Sequence, residues 1–322
     1  MKIFPKMAVL TLSFAFMGAF AQEEGEILGE YGAITVQMLN GKRTALISSE
    51  SIETVEINED VEIDSAYFDR KFSGDWNKPS TLMLPFPLNG EGAGCLSQFA
   101  QVYEMTGISI TGSETWQIDA MLHQNSSYVS GPIEANRPYL VRPGGAELKI
   151  GDHCLSKSKP VVMNTTQGTS NMKILFDKWE FRGMYSYKKW EEGDSDLGYV
   201  YGFAEKEKEV DGKLIKKGQF VKGKAGVFIR PFRAYLIYTG NSALAKSAKE
   251  TASLTADELP NEIDVVFHDE NGDVTAIHSL NTISGEFTNS STGWYDMKGR
   301  KLNKKPTIKG AYFYNGNKVV IK

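Results

Sequence analysis

Between residues 33 and 240 apolar and polar side chains alternate in short runs instead of recurring every three or four positions. A two-residue rhythm marks half-buried strands, so the pattern predicts a β-rich chain. Residues 33–38 (AITVQM) read as a strand entering a turn at Asn40-Gly41, and residues 44–48 read as its return. Asn-Gly suits such hairpins because both residues tolerate positive φ. Ile52, Val55, Ile57, Val61 and Ile63 extend the rhythm and predict further strand. Residues 103–110 alternate, and Pro85 and Pro87 stand at a strand end, where a missing amide donor is tolerated. Residues 173–176, 179–181, 199–203 and 227–229 are short aromatic or β-branched runs, separated by Gly183, Gly193, Asp211-Gly212 and Gly218.

Residues 137–141 (RPYLV) and 233–237 (RAYLI) share Arg-x-Tyr-Leu followed by a β-branched residue. The shared motif predicts two closing strands of a duplicated unit; chance likeness over five residues is the competing reading. At residues 241–260 small polar residues replace aromatics, which reads as a linker ending at Pro260. The expected fold is all-β. A β-sandwich-like body covers 22–240, with sub-units 22–150 and 151–240 if it is duplicated. A small C-terminal antiparallel β unit covers 261–322 and includes a second hairpin signal at Asn271-Gly272.

The first residues carry an address. Lys2 and Lys6 border an apolar run over 7–20, and Ala19-Phe20-Ala21 is small-x-small. Residues 1–21 therefore read as a signal peptide cut between Ala21 and Gln22. The run falls short of the ~20 residues of a membrane-spanning helix, and no other run is long enough, so no transmembrane helix is expected. Export permits a disulfide between Cys95 and Cys154, the two cysteines of the chain. Two separate buried thiols fit equally well, because bridging depends on distance in space.

Charge sharpens this picture. The 322 residues carry 36 Lys or Arg against 40 Asp or Glu, net −4, which disfavours a general nucleic-acid binder. Cleavage would remove Lys2 and Lys6 and leave net −6. Residues 296–322 hold eight basic residues and one Asp, a local +7, so the remainder is strongly acidic. Such asymmetry predicts a tail that is a distinct unit.

Few residues point to chemistry. Gly218 to Lys224 has phosphate-loop spacing, but Ala225 stands where a hydroxyl would ligate Mg²⁺, and no helix follows. There is no Gly-x-Ser-x-Gly and no His-Glu-x-x-His, and His123, His153, His268 and His278 are scattered. The acidic runs at 191–196 and 269–273 read as solvated loops rather than cation sites. No catalytic residue, metal or cofactor is expected. The aromatic cluster Tyr185, Tyr187 and Trp190 suggests a platform that stacks on sugar rings; the commoner role of such rings in a β domain is core packing.

Residues 293–302 (GWYDMKGRKL), 305–310 (KPTIKG), 311–314 (AYFY) and 318–322 (KVVIK) resemble the C-terminal sorting tail of Gram-negative proteins exported by the type IX route. The likeness rests on Tyr295, Asp296, Gly299, Arg300, Gly310 and Tyr312. It implies passage through the secretion machinery to the outer surface or the medium, or a periplasmic location if the tail does not sort. Residues 68–72, 80–86, 135–141 and 232–236 resemble segments of uncharacterised surface proteins from the same bacterial groups. Together these readings imply a non-catalytic secreted or cell-surface protein for adhesion or extracellular assembly. The alternative is a carbohydrate-binding module of a polysaccharide-degrading bacterium, with a cell-surface or plant-type polysaccharide as partner.

Overall fold

The computed structural model describes residues 25–71, 79–88, 99–110, 115–123, 133–143, 147–150, 160–166, 172–205, 208–210, 213–215, 218–240, 254–269, 272, 274–278, 294–296, 301–302, 304–307, 309–314 and 317–321. Ala21, Gln22, Cys95, Cys154, Gly299 and Arg300 lie outside them, as do the signal peptide and residues 241–253 of the linker.

The described residues are all-β. In chain order the strands are β1 (Glu26–Tyr31), β2 (Ile34–Leu39), β3 (Lys42–Ile47), β4 (Val61–Ile63), β5 (Ser65–Lys71), β6 (Ser80–Leu82), β7 (Phe99–Ile110), β8 (Trp116–Leu122) and β9 (Tyr139–Pro143). Then come β10 (Glu147–Ile150), β11 (Val161–Met163), β12 (Lys173–Phe176), β13 (Trp179–Met184), β14 (Lys188–Lys189), β15 (Val200–Phe203), β16 (Lys208–Val210) and β17 (Lys213–Ile215). The rest are β18 (Phe220–Lys222), β19 (Phe228–Ile229), β20 (Arg233–Tyr238), β21 (Glu262–His268), β22 (Val274–His278), β23 (Trp294–Tyr295), β24 (Lys301–Leu302), β25 (Gly310–Tyr314) and β26 (Asn317–Ile321).

The first hairpin forms as the alternation predicts. Asn40 (φ 50°) and Gly41 (φ 73°) turn β2 into β3, matching the right-handed twist of the strands. Strand β3 then pairs in parallel with β5, giving a five-stranded sheet in the order β1-β2-β3-β5-β10. The predicted strand over 52–57 is not a strand. Val55 and Ile57 are buried, but their amides donate to the Tyr185 carbonyl and the Thr165 hydroxyl, so tertiary contacts take the groups a ladder would need.

The large sheet runs β12-β13-β20-β15-β18-β21-β8-β7-β9-β6, with β22 paired to β21 off this path. It curls until β6 meets β20: the Met83 amide donates to the Phe232 carbonyl at 3.0 Å, and the Thr81 hydroxyl accepts from the Ala234 amide at 3.1 Å. Inside the curl lie Tyr103, Leu140, Trp179, Phe181, Tyr201, Phe220, Leu236 and Phe267. Strand β20 divides its side chains by the period of two. Ala234, Leu236 and Tyr238 enter this inner core, while Tyr235 and Ile237 join Trp190 and Ile229 on the other face.

The Arg-x-Tyr-Leu likeness extends into a shared register. Strand β9 lies between β6 and β7, and β20 lies between β13 and β15. Leu140 faces Thr81 and Tyr103; Leu236 faces Phe181 and Tyr201. Val102 faces Val141 as Val200 faces Ile237, and Tyr103 faces Leu122 as Tyr201 faces Lys222. Four residues before each Leu, the backbone is left-handed: φ is 60° at Asn136 and 64° at Phe232. Each of those amides donates over 2.8 Å to a carbonyl three residues past the strand partner of the Leu, at Leu84 and at Met184. The body therefore contains two four-strand units, β6-β9-β7-β8 and β13-β20-β15-β18. The five-stranded sheet stands outside the repeat, so the repeat boundaries differ from 22–150 and 151–240.

Strand β21 fills the seam between the units, antiparallel to β18 and parallel to β8. The Gln219 amide nitrogen donates to Asp264 at 2.5 Å on one side, and a ring nitrogen of His268 lies 2.8 Å from Asp119 on the other. The segment before β21 is docked as well. Leu259 is buried, and the Lys222 ammonium donates to the carbonyls of Ala256 and Leu259, both at 2.7 Å. The body accordingly continues past residue 240 to the end of β22, which moves the predicted boundary at 260. Three two-stranded ladders, β4-β11, β14-β19 and β16-β17, accompany these sheets, and the last four strands form a small antiparallel sheet in the order β24-β23-β25-β26. It contains Tyr295 in β23, with Asp296 just after it, and Gly310 and Tyr312 in β25.

Candidate functional site

The three predicted platform residues do not make a platform. Tyr185 is 5% exposed; its ring meets Phe232 edge-on at 6.0 Å and its hydroxyl donates to Asn136 at 2.7 Å. Burial pushes its phenol well above the ordinary value. Trp190 is 2% exposed, meets Tyr235 edge-on at 5.3 Å, and donates its indole N–H to Asp196 at 3.0 Å. The two rings belong to different cores, so they share no surface. Tyr187 is half-buried, tilted against Phe228 at 5.7 Å. The spacing of these aromatics serves core packing, with the acidic loop as its support: Asp196 also accepts from Lys188 at 2.7 Å, and Asp194 caps the Glu191 amide at 3.0 Å.

The site the fold builds lies next to Trp190. A cleft of about 330 Å³ is lined by Glu50, Tyr201, Phe203, Glu205, Phe228, Arg230 and Arg233, with Trp190 and Tyr235 in its wall. Strand β20 places Arg233 there, β19 places Phe228, and β15 places Phe203. An alternating row of charged side chains reaches it from the buried Arg70. Arg70, buried on β5, bonds Glu205 and donates to the Thr81 carbonyl at 2.6 Å. Glu205 gives its second oxygen to Arg233 at 2.8 Å. Beyond Arg233 stands Glu50, 3.9 Å from it and 3.5 Å from Arg230. Burial pushes the Arg70 guanidinium down to about 10 against the pull of Glu205.

Phe228 is 47% exposed at the mouth, and the Arg230 guanidinium sits over its ring at 5.0 Å. The site thus joins an aromatic wall to cationic groups. Sequence reading did not find Glu50, Arg70, Glu205, Phe228 or Arg230; the one local signal was the pair Arg230 and Arg233, three residues apart in an otherwise apolar run. Among the described residues no group of three His, Cys, Asp or Glu side chains is placed to hold a metal ion, and no helix is long and apolar enough to cross a membrane. No family model matches the chain, and neither curated proteins nor solved structures show a match to it.

Proposed function

We propose that the protein is a non-catalytic exported protein, extracellular or on the outer cell surface, that works by binding in adhesion or extracellular assembly. The observation that carries this reading is the state of the two cleft carboxylates. Glu205 has each oxygen engaged by a different guanidinium, Arg70 and Arg233. Glu50, its neighbour, is exposed and lies against Arg230 and Arg233. Such a row suits recognition of charge better than acid–base chemistry. Likeness of the tail to sorting tails supports the location.

A carbohydrate-binding role is the second reading, favoured by exposed Phe228 beside Tyr187 and Arg230. The ring pair replaces the rejected trio of Tyr185, Tyr187 and Trp190 as the surface on which a sugar would rest.

Three measurements test the proposal. Removing residues 293–322 should trap the chain in the periplasm on fractionation, while normal surface display refutes the sorting role. A strain lacking the protein should lose attachment to polysaccharide-coated surfaces. Release of reducing sugar ends by the purified chain, lost in Glu205→Gln, would make it an enzyme instead.

A further inference from the structure

We propose that the cleft binds a carboxylate-bearing sugar, a uronic acid residue of an acidic polysaccharide, with Glu50 standing where the ligand's carboxylate would lie. The inference rests on the binding reading above and names its ligand class.

Three observations converge. The row Arg70, Glu205, Arg233, Glu50, Arg230 begins and ends on a cation; Arg70 is buried behind the cleft, and the other four line it. Its inner links are direct, whereas the outer carboxylate is loosely held. Glu50 lies 3.5 and 3.9 Å from its arginines, against the ~2.7–2.9 Å of a charge-assisted hydrogen bond, and its side chain is 69% exposed. Arg230 also keeps a buried Nε without a hydrogen-bond partner. A planar carboxylate entering between Arg230 and Arg233 would meet guanidinium forks that Glu50 touches only by charge, and Glu50 can swing into solvent to admit it.

The wall explains why a sugar fits better than an acidic peptide. Phe228 is about half exposed beside those cations, with the Tyr187 ring tilted against it. A pyranose carrying a carboxylate offers an apolar C–H face to such a ring and an anion at its edge. The volume, about 330 Å³, is at the small end of ligand sites and suits one or two sugar rings.

Calorimetry on the full chain tests this, with a short oligogalacturonate, a neutral galacto-oligosaccharide of equal length and a poly-glutamate peptide as probes. The acidic sugar should bind, with the neutral one weaker by about tenfold or more. Arg230→Gln should lose about tenfold or more, Arg230→Lys less, because lysine keeps the charge without the fork. Phe228→Ala should weaken binding severalfold. Glu50→Ala should tighten it, since a competing carboxylate is gone; a merely structural role for Glu50 predicts no gain. Phe228 and Glu50 are exposed, so their variants carry the test if an Arg230 variant fails to fold. Equal binding of acidic and neutral sugars, preference for poly-glutamate, or weaker binding by Glu50→Ala overturns the inference. Binding of the neutral sugar alone would overturn it while leaving the binding reading intact. Failure of every probe, together with unchanged attachment of the deletion strain, would remove both.

Discussion

In the first unit Val102, Tyr139 and Val141 face the five-stranded sheet and share its core. Their counterparts in the second unit, Val200, Tyr235 and Ile237, pack with Trp190 and Ile229, with Met184, Leu197 and Val227 at the margin, beside the short β14-β19 ladder. The inner face is treated alike in both: Tyr103 and Leu140 meet Tyr201 and Leu236 in one core. Two units with one register thus differ in what covers them. A full sheet seals the first, and a two-stranded cover leaves the second with a cleft. The matching arginines follow suit. Arg137 is spent on Glu104 and Glu134 at 3.1 and 3.7 Å, while Arg233 lines the cleft. Of the two units, one is thus sealed by a sheet and the other carries the cleft.

The strongest test of that equivalence is in the shared core. Leu140→Ala and Leu236→Ala should each cost about 2–5 kcal/mol in urea unfolding, by lost burial plus the cavity left behind. A cost under about 1 kcal/mol for one of them breaks the equivalence. Next comes the place where the units touch. By register Met83 and Gly183 are counterparts, and a β-carbon at Gly183 would lie 2.2 Å from the Met83 sulfur. Gly183→Ala should therefore cost about 1–3 kcal/mol by overpacking. Met83→Ala in the same chain should recover part of it, and simple additivity in the double-mutant cycle would show that the two do not meet.

Tyrosine hydroxyls sharpen the contrast in covering. The Tyr139 hydroxyl accepts from the Glu134 amide at 3.1 Å, and that of Tyr235 accepts from Arg182 at 3.4 Å. Tyr139→Phe should cost about 1 kcal/mol in thermal unfolding and Tyr235→Phe less. An equal or reversed order would mean that the second unit is as tightly sealed as the first.

The smallest effect concerns the seam. Hydrogen bonding to Asp119 holds His268 above its ordinary 6.5, so the fold favours its protonated form. That contribution is fully present below the unfolded value and fades as pH rises through the raised folded value. Wild type should exceed His268→Gln in urea midpoint near about pH 5, and the gap should close by about pH 9. A gap independent of pH would leave His268 as packing alone.

How much of this was legible follows from where each signal is stored. The β2-β3 hairpin lies within a few residues, in alternation and Asn40-Gly41, and it formed as read. The duplication showed as five residues, because the register it depends on is held by backbone pairing and by the left-handed Asn136 and Phe232. Asn136 adopts that conformation readily, whereas Phe232 needs its buried ring, packed on Phe68 at 5.5 Å, to hold it there. Tyr185 and Trp190 take the commoner of the two roles read for them, core packing, and only their burial separates it from a platform, because aromatic spacing is the same for both. The charges come from β5 (Arg70), from the bend after β3 (Glu50), from just past β15 (Glu205), from just past β19 (Arg230) and from the start of β20 (Arg233), and no window of sequence contains them together.

Strand β21 has one more consequence, for the order of assembly. It is among the last pieces of the body in sequence, yet it occupies the middle of the sheet. Until residue 268 can reach the seam, β8 and β18 each present an unpaired edge, and closing the sheet needs contacts between distant parts of the chain. The body cannot zip from one end; it must wait for its keystone, and a chain interrupted before that strand would be sticky rather than folded.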